Sequence, residues 1–314
     1  NGRPHAESNA IKNCIDDLYG SKMYVTLEPC CHHGLTPPCT NIIIKSKISE
    51  VIYSVADIDK RVRNKSLKIL KSNNIKVKKG LLKDKINNFY STYFFNRKNQ
   101  LPYVTGKIAV SKNNLIYSKL DKKITNKHSD KFTHLLRYKN DALMVTYKTL
   151  NKDNSKLNCR IKGFGNHSPK RIILDNKLQT NINSYVIKTA NKDNTIIFYN
   201  QADKSKFLNF KKKKIQLIRS KVNKQGKFDV KAILKKLYSY NCRNLLIEGG
   251  DSLTSELLKN RIFNKFYLYK SPKNLSKETE YLKFNSLDVL KKNYKNKFNL
   301  NLFLGKDKIT LYKN

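Results

Sequence analysis

At 314 residues the chain is long enough for two domains, each able to bury a core of its own. Lys and Arg number 65 against 23 Asp and Glu, a net charge of +42, and no apolar run approaches membrane-spanning length, which excludes a membrane span and raises the question of an anionic partner. Six unevenly spaced cysteines and the absence of a secretory signal fit a reducing, cytoplasmic location better than a disulfide framework.

Ala10, Ile11, Cys14, Ile15 and Leu18 recur at three and four residues, which predicts a helix over Ala6–Tyr19. A short apolar strand, Met23–Leu27, runs into Glu28-Pro29-Cys30, and a helix is expected from about Cys39 to Lys45. The strand Val51–Ala56, a helix through Leu67–Leu70 and a strand at Ile75–Lys79 follow. Strands alternating with helices indicate a layered α/β sheet.

On this framework stand His5-Ala6-Glu7, Glu28-Pro29-Cys30 and Pro38-Cys39. A catalytic zinc takes three protein ligands and keeps its fourth position open for water. Bound water then ionises near neutral pH, and a carboxylate outside the ligand set moves protons between it and a leaving amine. The general zinc-deaminase pattern, H-x-E followed by P-C-x-x-C, has these parts. His5, Cys30 and Cys39 are therefore the candidate metal ligands and Glu7 the candidate catalytic residue. Helix starts favour the thiolate form that both cysteines need. A closed structural zinc site using His32 or His33 is the competing reading, but it has no use for Glu7 or for Pro ahead of both cysteines. His32 and His33 are placed beside the substrate or behind the ligands. Cys14, Cys159 and Cys242 read as buried apolar fillers.

Eight residues, not two, separate Cys30 from Cys39. The segment Thr26-Leu-Glu-Pro-Cys-Cys-His-His-Gly-Leu-Thr-Pro-Pro-Cys39 resembles the zinc motif of the bifunctional deaminase–reductase family of riboflavin biosynthesis, with Cys31 where that family usually has Ser. Gly34 and the prolines suit a tight turn, since Gly tolerates positive φ. The resemblance implies a cytidine-deaminase-like fold for residues 1–100 and a dihydrofolate-reductase-like fold for residues 101–314. Family members carry further elements ahead of the zinc histidine, so the deaminase domain reads as lacking its amino-terminal part. An Asp-Pro-Asn-Pro-like loop of the family is reduced here to Asp57-Ile-Asp59.

Gly80 to Leu101 reads as the joint, a Lys- and Asn-rich helix through Ile86, Phe89, Tyr90 and Tyr93 that stops ahead of Pro102. Beyond it are expected an apolar strand, Tyr103–Val110, a turn at Ser111–Asn114, and a helix over Asn126–Tyr138 with Phe132, Leu135 and Leu136 inward. Strands are predicted at Ala142–Thr146, Arg171–Leu174, Thr195–Tyr199, Ile215–Arg219 and Asn244–Glu248, with helices at Phe228–Tyr240 and Ser252–Lys259. This alternation gives a mostly parallel sheet with crossover helices. The Lys- and Asn-rich tail closes with strand-like Leu300–Leu304 and Lys308–Tyr312. The densest basic run, Lys211–Lys214, reads as a solvated turn. Lysine is spread over nearly every segment with Asn and Ile, the signature of AT-rich codon drift, so only weak, salt-sensitive binding to polyanions is expected and no specific nucleic acid.

Glu248-Gly249-Gly250 joins a strand to a helix start, where two glycines and free N–H groups admit a phosphate. Alone this signal is weak, but other segments resemble the reductase half of the same family: Lys107-Ile-Ala-Val-Ser111, His134-Leu-Leu-Arg137 with Asp141-Ala142, Thr149 to Arg160, and Arg171-Ile-Ile-Leu-Asp175. By position the resemblance implies cofactor contacts at Ala109, Thr149, Asp153, Asn176, Gly250, Asp251, Ser252, Leu253, Thr254, Ser255 and Glu256, and substrate contacts at Arg137, Leu157, Arg160 and Glu248. Arg137 and Arg160 suit a ribose phosphate, since guanidinium binds phosphate oxygens bidentately. The sequence departs from the family where Ser111 is followed by Lys112, Asn113 and Asn114 in place of L-D-G. It departs again where Asp121, Lys122, Lys123, Ile124 and Thr125 replace a Ser-x-Trp-Ile-Thr stretch.

The resemblance thus implies two cofactors, Zn2+ and NADPH, and two consecutive reactions. These are hydrolytic deamination of 2,5-diamino-6-ribosylamino-4(3H)-pyrimidinone 5′-phosphate and NADPH-dependent reduction of its ribosyl group to ribityl. The partner is a phosphorylated, pyrimidine nucleotide-like small molecule, without a membrane, and a homo-oligomer is left open. Competing readings are a deaminase with a degenerate reductase domain, a nucleic-acid deaminase, and a zinc-stapled binding module without chemistry.

Overall fold

A computed structural model describes residues 4–121, 123–164 and 167–314; Lys122, one of the departures noted above, lies outside them. The chain divides into two compact units, one up to Gln100 and one from Leu101. No helix among the described residues is long and apolar enough to cross a membrane.

The first unit contains α1 (Ala6–Asn13), β1 (Lys22–Leu27), α2 (Cys39–Lys45), β2 (Glu50–Val55), α3 (Lys65–Ser72), β3 (Lys76–Lys79), α4 (Lys83–Phe89) and α5 (Ser91–Asn99). Its described strands pair in parallel in the order β1-β2-β3. Ile43, Val51, Leu70 and Ile75 form the centre of its core. The helix α1 ends at Asn13 rather than Tyr19: Cys14 is extended, Ile15 is 99% exposed, and Asp17 accepts the Tyr19 N–H in a local turn that competes with the helix. Cys14 is exposed and no core filler, whereas Cys159 and Cys242 are buried. The single helix expected in the joint is two, α4 and α5, which break at Tyr90; its ring packs against Phe89, Tyr93 and Phe94.

In the second unit lie β4 (Tyr103–Val110), β5 (Leu115–Ser118), α6 (Lys127–Tyr138), β6 (Ala142–Thr146), α7 (Tyr147–Asp153) and β7 (Lys170–Leu174). They are followed by α8 (Tyr185–Lys188), β8 (Thr195–Tyr199), α9 (Lys204–Lys212), β9 (Gln216–Arg219), α10 (Val230–Ser239), β10 (Asn244–Ile247) and α11 (Asp251–Lys259). The unit closes with β11 (Lys265–Lys270), β12 (Tyr281–Lys283), α12 (Leu287–Asn293), β13 (Asn296–Asn299) and β14 (Lys308–Lys313). Among the described residues one sheet runs β13-β14-β11-β4-β10-β6-β7-β8-β9, parallel from β11 to β9 and antiparallel at the β13-β14 edge. A separate ribbon pairs β5 with β12.

Alternate residues of the central strands feed two cores. Met144, Ile172, Ile196 and Leu245 pack on one face, and Leu143, Ile173, Ile197 and Leu246 on the other. This is the pattern of a parallel sheet covered on both sides, and it explains why these strands read as continuous apolar runs. Val230, Ile233, Leu234 and Leu237 give α10 a buried stripe, and Asp229 caps it by accepting the Ala232 N–H.

Other expectations fail or hold only in part. Leu300–Leu304 forms no strand; the strand is Asn296–Asn299, an exposed polar edge with no hydrophobic alternation to reveal it. Leu136 is buried and Phe132 packs against the same core, as expected, but the buried residues of α6 also include the polar Ser129, Thr133, His134 and Arg137, which the apolar pattern did not mark. Gly34 takes no left-handed backbone. The Ser111–Asn114 turn, by contrast, survives its departure from the family pattern. Asn114 adopts φ +61° and closes back on the Ser111 carbonyl at 3.0 Å, a conformation Asn tolerates nearly as well as Gly.

Candidate active sites

In the first unit, His5 is the residue before α1, Cys39 opens α2, and Cys30 follows the end of β1. The His5 Nδ1 atom lies 3.3 Å from Cys39 Sγ and 3.5 Å from Cys30 Sγ, and the three ligand atoms all fall within 4.8 Å of one another. Zinc about 2.1 Å from nitrogen and about 2.3 Å from sulfur spans an N···S separation of ~3.6 Å at the tetrahedral angle, so the donor set fits that ion. The α2 start also serves the sulfurs. The Cys39 N–H donates to Cys30 Sγ at 3.3 Å, and the Thr40 N–H donates to the Cys30 carbonyl at 3.2 Å. Hydrogen bonding from Cys39 pulls the Cys30 thiol down to about 5, and the shared proton pushes the Cys39 thiol up.

Glu7 sits in the first turn of α1, half-buried, outside the ligand set. Burial raises its carboxyl above the usual range, opposed by its backbone hydrogen bond. Neither His32 nor His33 joins the metal group; His33 is exposed and His32 half-buried with an unpartnered Nδ1. The Cys31 sulfur reaches the Arg61 carbonyl at 3.5 Å instead.

Glu28 was not singled out by sequence reasoning. Only 3% exposed, it accepts from Ser66 Oγ at 2.6 Å and from the Asn64 and Asp57 N–H groups at 3.0 and 3.2 Å. It thereby ties the strand end that presents Cys30 to the loop after β2. Asp57, inside the shortened Asp57-Ile-Asp59 loop, accepts from Tyr93 at 3.0 Å, and Asp59 is gripped by Arg61 and Arg97.

The second unit holds a cleft of about 1250 Å³ at the carboxyl ends of the central strands. Ala109, Thr149, Asp153, Leu157, Asn176 and Glu248 line it, as do Gly250, Asp251, Ser252, Leu253 and Glu256. Thr254 and Ser255 are not among the lining residues: the Thr254 hydroxyl donates to the Gly249 carbonyl, and the Ser255 hydroxyl donates to Asp251 and accepts from the Ser286 hydroxyl. Arg137 and Arg160 line a smaller cavity of about 420 Å³ with Asn154, Ser155 and Lys156.

Two observations fit the cleft to a dinucleotide. A Cβ added at Gly250 would stand 3.8 Å from the Thr149 hydroxyl, so glycine leaves the space between the α11 start and α7 free for a phosphate. The buried Asn176 Oδ1 has no partner while its Nδ2 donates to the Gly226 carbonyl, which leaves an acceptor for a ribose or base group.

Arg137 grips Glu248 bidentately, Nε to Oε1 and Nη2 to Oε2, both at 2.8 Å. Burial alone would raise the Glu248 carboxyl, but the guanidinium charge and its hydrogen bonds pull it down to about 2. Lys107, also missed as a site residue, lines the cleft with Nζ 5.0 Å from the centre of the Tyr269 ring, and burial lowers its pKa. A lone Lys inside an apolar strand was the available signal. Where the family pattern has Trp, Lys123 lines the cleft and pairs with Asp130 at 3.2 Å.

Residues 1–55 match the zinc-binding region of cytidine and deoxycytidylate deaminases, and residues 106–296 match the RibD C-terminal domain. The riboflavin biosynthesis protein RibD of Actinobacillus pleuropneumoniae is 32% identical over 271 residues, covering 86% of this chain and 71% of that protein. The chain belongs to the RibD family. The RibD of Aquifex aeolicus is 31% identical, over 87% of this chain and 75% of its own length. Among solved structures, a Thermotoga maritima diaminohydroxyphosphoribosylaminopyrimidine deaminase/5-amino-6-(5-phosphoribosylamino)uracil reductase is 26% identical with a TM-score of 0.79, covering 99% of this chain and 85% of that one. Acinetobacter baumannii RibD gives 0.81 at 22% identity with the same coverage. The fold is therefore that of RibD, a cytidine-deaminase-like domain followed by a dihydrofolate-reductase-like one.

Proposed function

We propose that this RibD-family enzyme, a zinc-dependent deaminase joined to an NADPH-dependent reductase, converts 2,5-diamino-6-ribosylamino-4(3H)-pyrimidinone 5′-phosphate in two steps. Residues 1–100 would release ammonia, and residues 101–314 would reduce the ribosyl group of the product to ribityl. The observation that carries the first step is the His5, Cys30 and Cys39 triad with Glu7 left outside it. When bound there, zinc supplies an activated water, and NADPH supplies the hydride in the second unit. Glu7 takes a proton from the attacking water and passes it to the departing amine. Its half-buried position keeps the proton shuttle out of bulk solvent.

In the cleft, the α11 start with Gly249 and Gly250 receives the cofactor phosphates, and Thr149, Asp153 and Asn176 hold its hydroxyl groups. Glu248, kept ionised by Arg137, accepts hydrogen bonds from the substrate and orients it. Three of the five Arg137 N–H donors are engaged inside the protein, since Nη1 also donates to the Asn158 carbonyl at 3.2 Å beside the two that hold Glu248. Arg160 and Lys156 are thus the cations left to bind the ribose phosphate. We place the enzyme in the cytoplasm, in keeping with its six free cysteines.

The test supplies the diaminopyrimidinone nucleotide with and without NADPH and follows ammonia and NADPH absorbance separately. Ammonia is expected in both cases and NADPH oxidation only after deamination. Ammonia without any NADPH oxidation would leave a deaminase with a silent second unit; neither signal would end the proposal.

A further inference from the structure

The segment from Asn154 to Arg160 forms a wall of both cavities: Ser155 and Leu157 line the large cleft, and Ser155, Lys156 and Arg160 the small basic one. It belongs to no helix or strand, so no backbone ladder holds it. Asn154 takes the left-handed C-cap conformation that Asn tolerates, at φ +42°, and Leu157 sits in the same region at φ +50°, which a bulky residue keeps only where surrounding contacts over-determine it. Three hydrogen bonds tie the second half of the segment to one face of α6. Arg137 Nη1 donates to the Asn158 carbonyl, Cys159 Sγ reaches the His134 carbonyl at 3.6 Å, and the Arg160 backbone N–H donates to His134 Nδ1 at 3.3 Å. The His134 side chain is spent inside the protein; the residue is only 9% exposed.

We infer that His134 is a positioning residue for reduction: by accepting the Arg160 N–H it fixes the backbone from which Arg160 addresses the substrate phosphate. This rests on the reading of the small cavity as the phosphate site given above. Only an unprotonated Nδ1 can accept. Burial first, then the nearby Arg137 and Arg160 guanidiniums, hold the ring below its usual pKa of 6.5, so the acceptor is present at neutral pH. A Leu of similar volume would leave a backbone donor unpaired and free the segment. Asn would restore the acceptor, since its Oδ1 stands where Nδ1 does. Gln carries its amide further out, to the position of Nε2, and would not.

The experiment measures NADPH oxidation by the full chain with the deaminated nucleotide and with its dephosphorylated form. For His134→Leu we expect KM for the phosphorylated substrate to rise about tenfold, the usual order for a buried donor left unpaired, with kcat and the KM for NADPH nearly unchanged. His134→Asn should return KM to near the wild-type value. His134→Gln should behave like His134→Leu and serves if the Leu variant does not fold. With the dephosphorylated substrate none of the three should differ from wild type. Arg160→Met is the control for the underlying reading. If it leaves KM unchanged, the phosphate site is elsewhere and both readings fall. If it raises KM while His134→Leu and His134→Gln do not, only the positioning role is overturned, as it is if kcat falls in every variant and Asn gives no rescue.

Discussion

The two units hold their reactive groups in opposite ways. In the first, every donor comes from the stretch between His5 and Cys39, and the ligand atoms touch one another at the α1 start, just after β1 and at the α2 start. The second draws its groups from β4 through α11, and they line an open cleft with several lysines and carboxylates spread along its walls. A centre built of mutually contacting ligands fails all at once, because removing one atom unmakes the site. A cleft with distributed contacts degrades by degrees.

The sharpest way to break that contrast is Glu7→Gln. Deamination should fall by about 10²–10⁴-fold, the typical worth of a positioned proton carrier, while zinc content and NADPH oxidation of the deaminated substrate stay as they were. Near-normal ammonia release would remove Glu7 from the mechanism. Chelating the metal should give the same loss of deamination and also lower the melting temperature of the first unit, since metal binding free energy is folding free energy there.

Next in size is Arg137→Met, which strands the buried Glu248 carboxylate. Breaking a buried pair from one side costs about 3–5 kcal/mol, so the second unit should lose much of its stability to urea and its reductase activity with it. Deamination should persist, measured as ammonia release. An unchanged urea midpoint would show that Glu248 finds another cation, for which Lys107 is placed. The same pair sets a pH response. The Glu248 pKa is depressed in the folded state, so its contribution is fully present above the ordinary glutamate range and is lost as pH falls from about 4.5 towards about 2. The shift corresponds to roughly 3 kcal/mol. Urea titrations of wild type and Glu248→Gln should therefore converge as the pH is lowered through that window, and parallel curves would contradict it.

How much of this was legible follows from the same difference. His5, Cys30 and Cys39 were readable as one group because metal binding fixes both residue types and short spacings. The buried strands of the second unit were readable because each is covered on both faces, as Ile172 and Ile173 show by packing into different cores. The polar edge strand Asn296–Asn299 was hidden because nothing apolar marks it. So was the polar part of the inward face of α6, where Thr133, His134 and Arg137 are buried without extending an apolar stripe. Thr254 and Ser255 were assigned by position along the motif, yet helical geometry turns them from the cleft towards Gly249 and Ser286. Residue partners more than a hundred positions apart, such as Arg137 and Glu248, leave no local trace at all.

The smallest effect is also the most discriminating between fold and binding. Gly250 has φ −70° and ψ −179°, a backbone any residue adopts, and a Cβ there would meet only the Thr149 hydroxyl at ordinary contact distance. Gly250→Ala should therefore leave the melting temperature of the second unit within a degree or so, since neither strain nor overlap is introduced. The added methyl would nevertheless stand in the gap between α7 and the α11 start, where a phosphate has to reach the free N–H groups of the helix. NADPH affinity, measured by fluorescence titration, should weaken by about tenfold, the order of one lost charge-assisted hydrogen bond, with deamination untouched. Gly249→Ala makes the comparison internal. Its Cβ would press on Leu253 and Thr254 at 3.2–3.4 Å, so it should lower stability first and cofactor binding only as a consequence. If the two alanine variants lost stability and affinity in the same proportion, Gly250 would be a structural turn residue and the cofactor would have to enter the cleft by another wall.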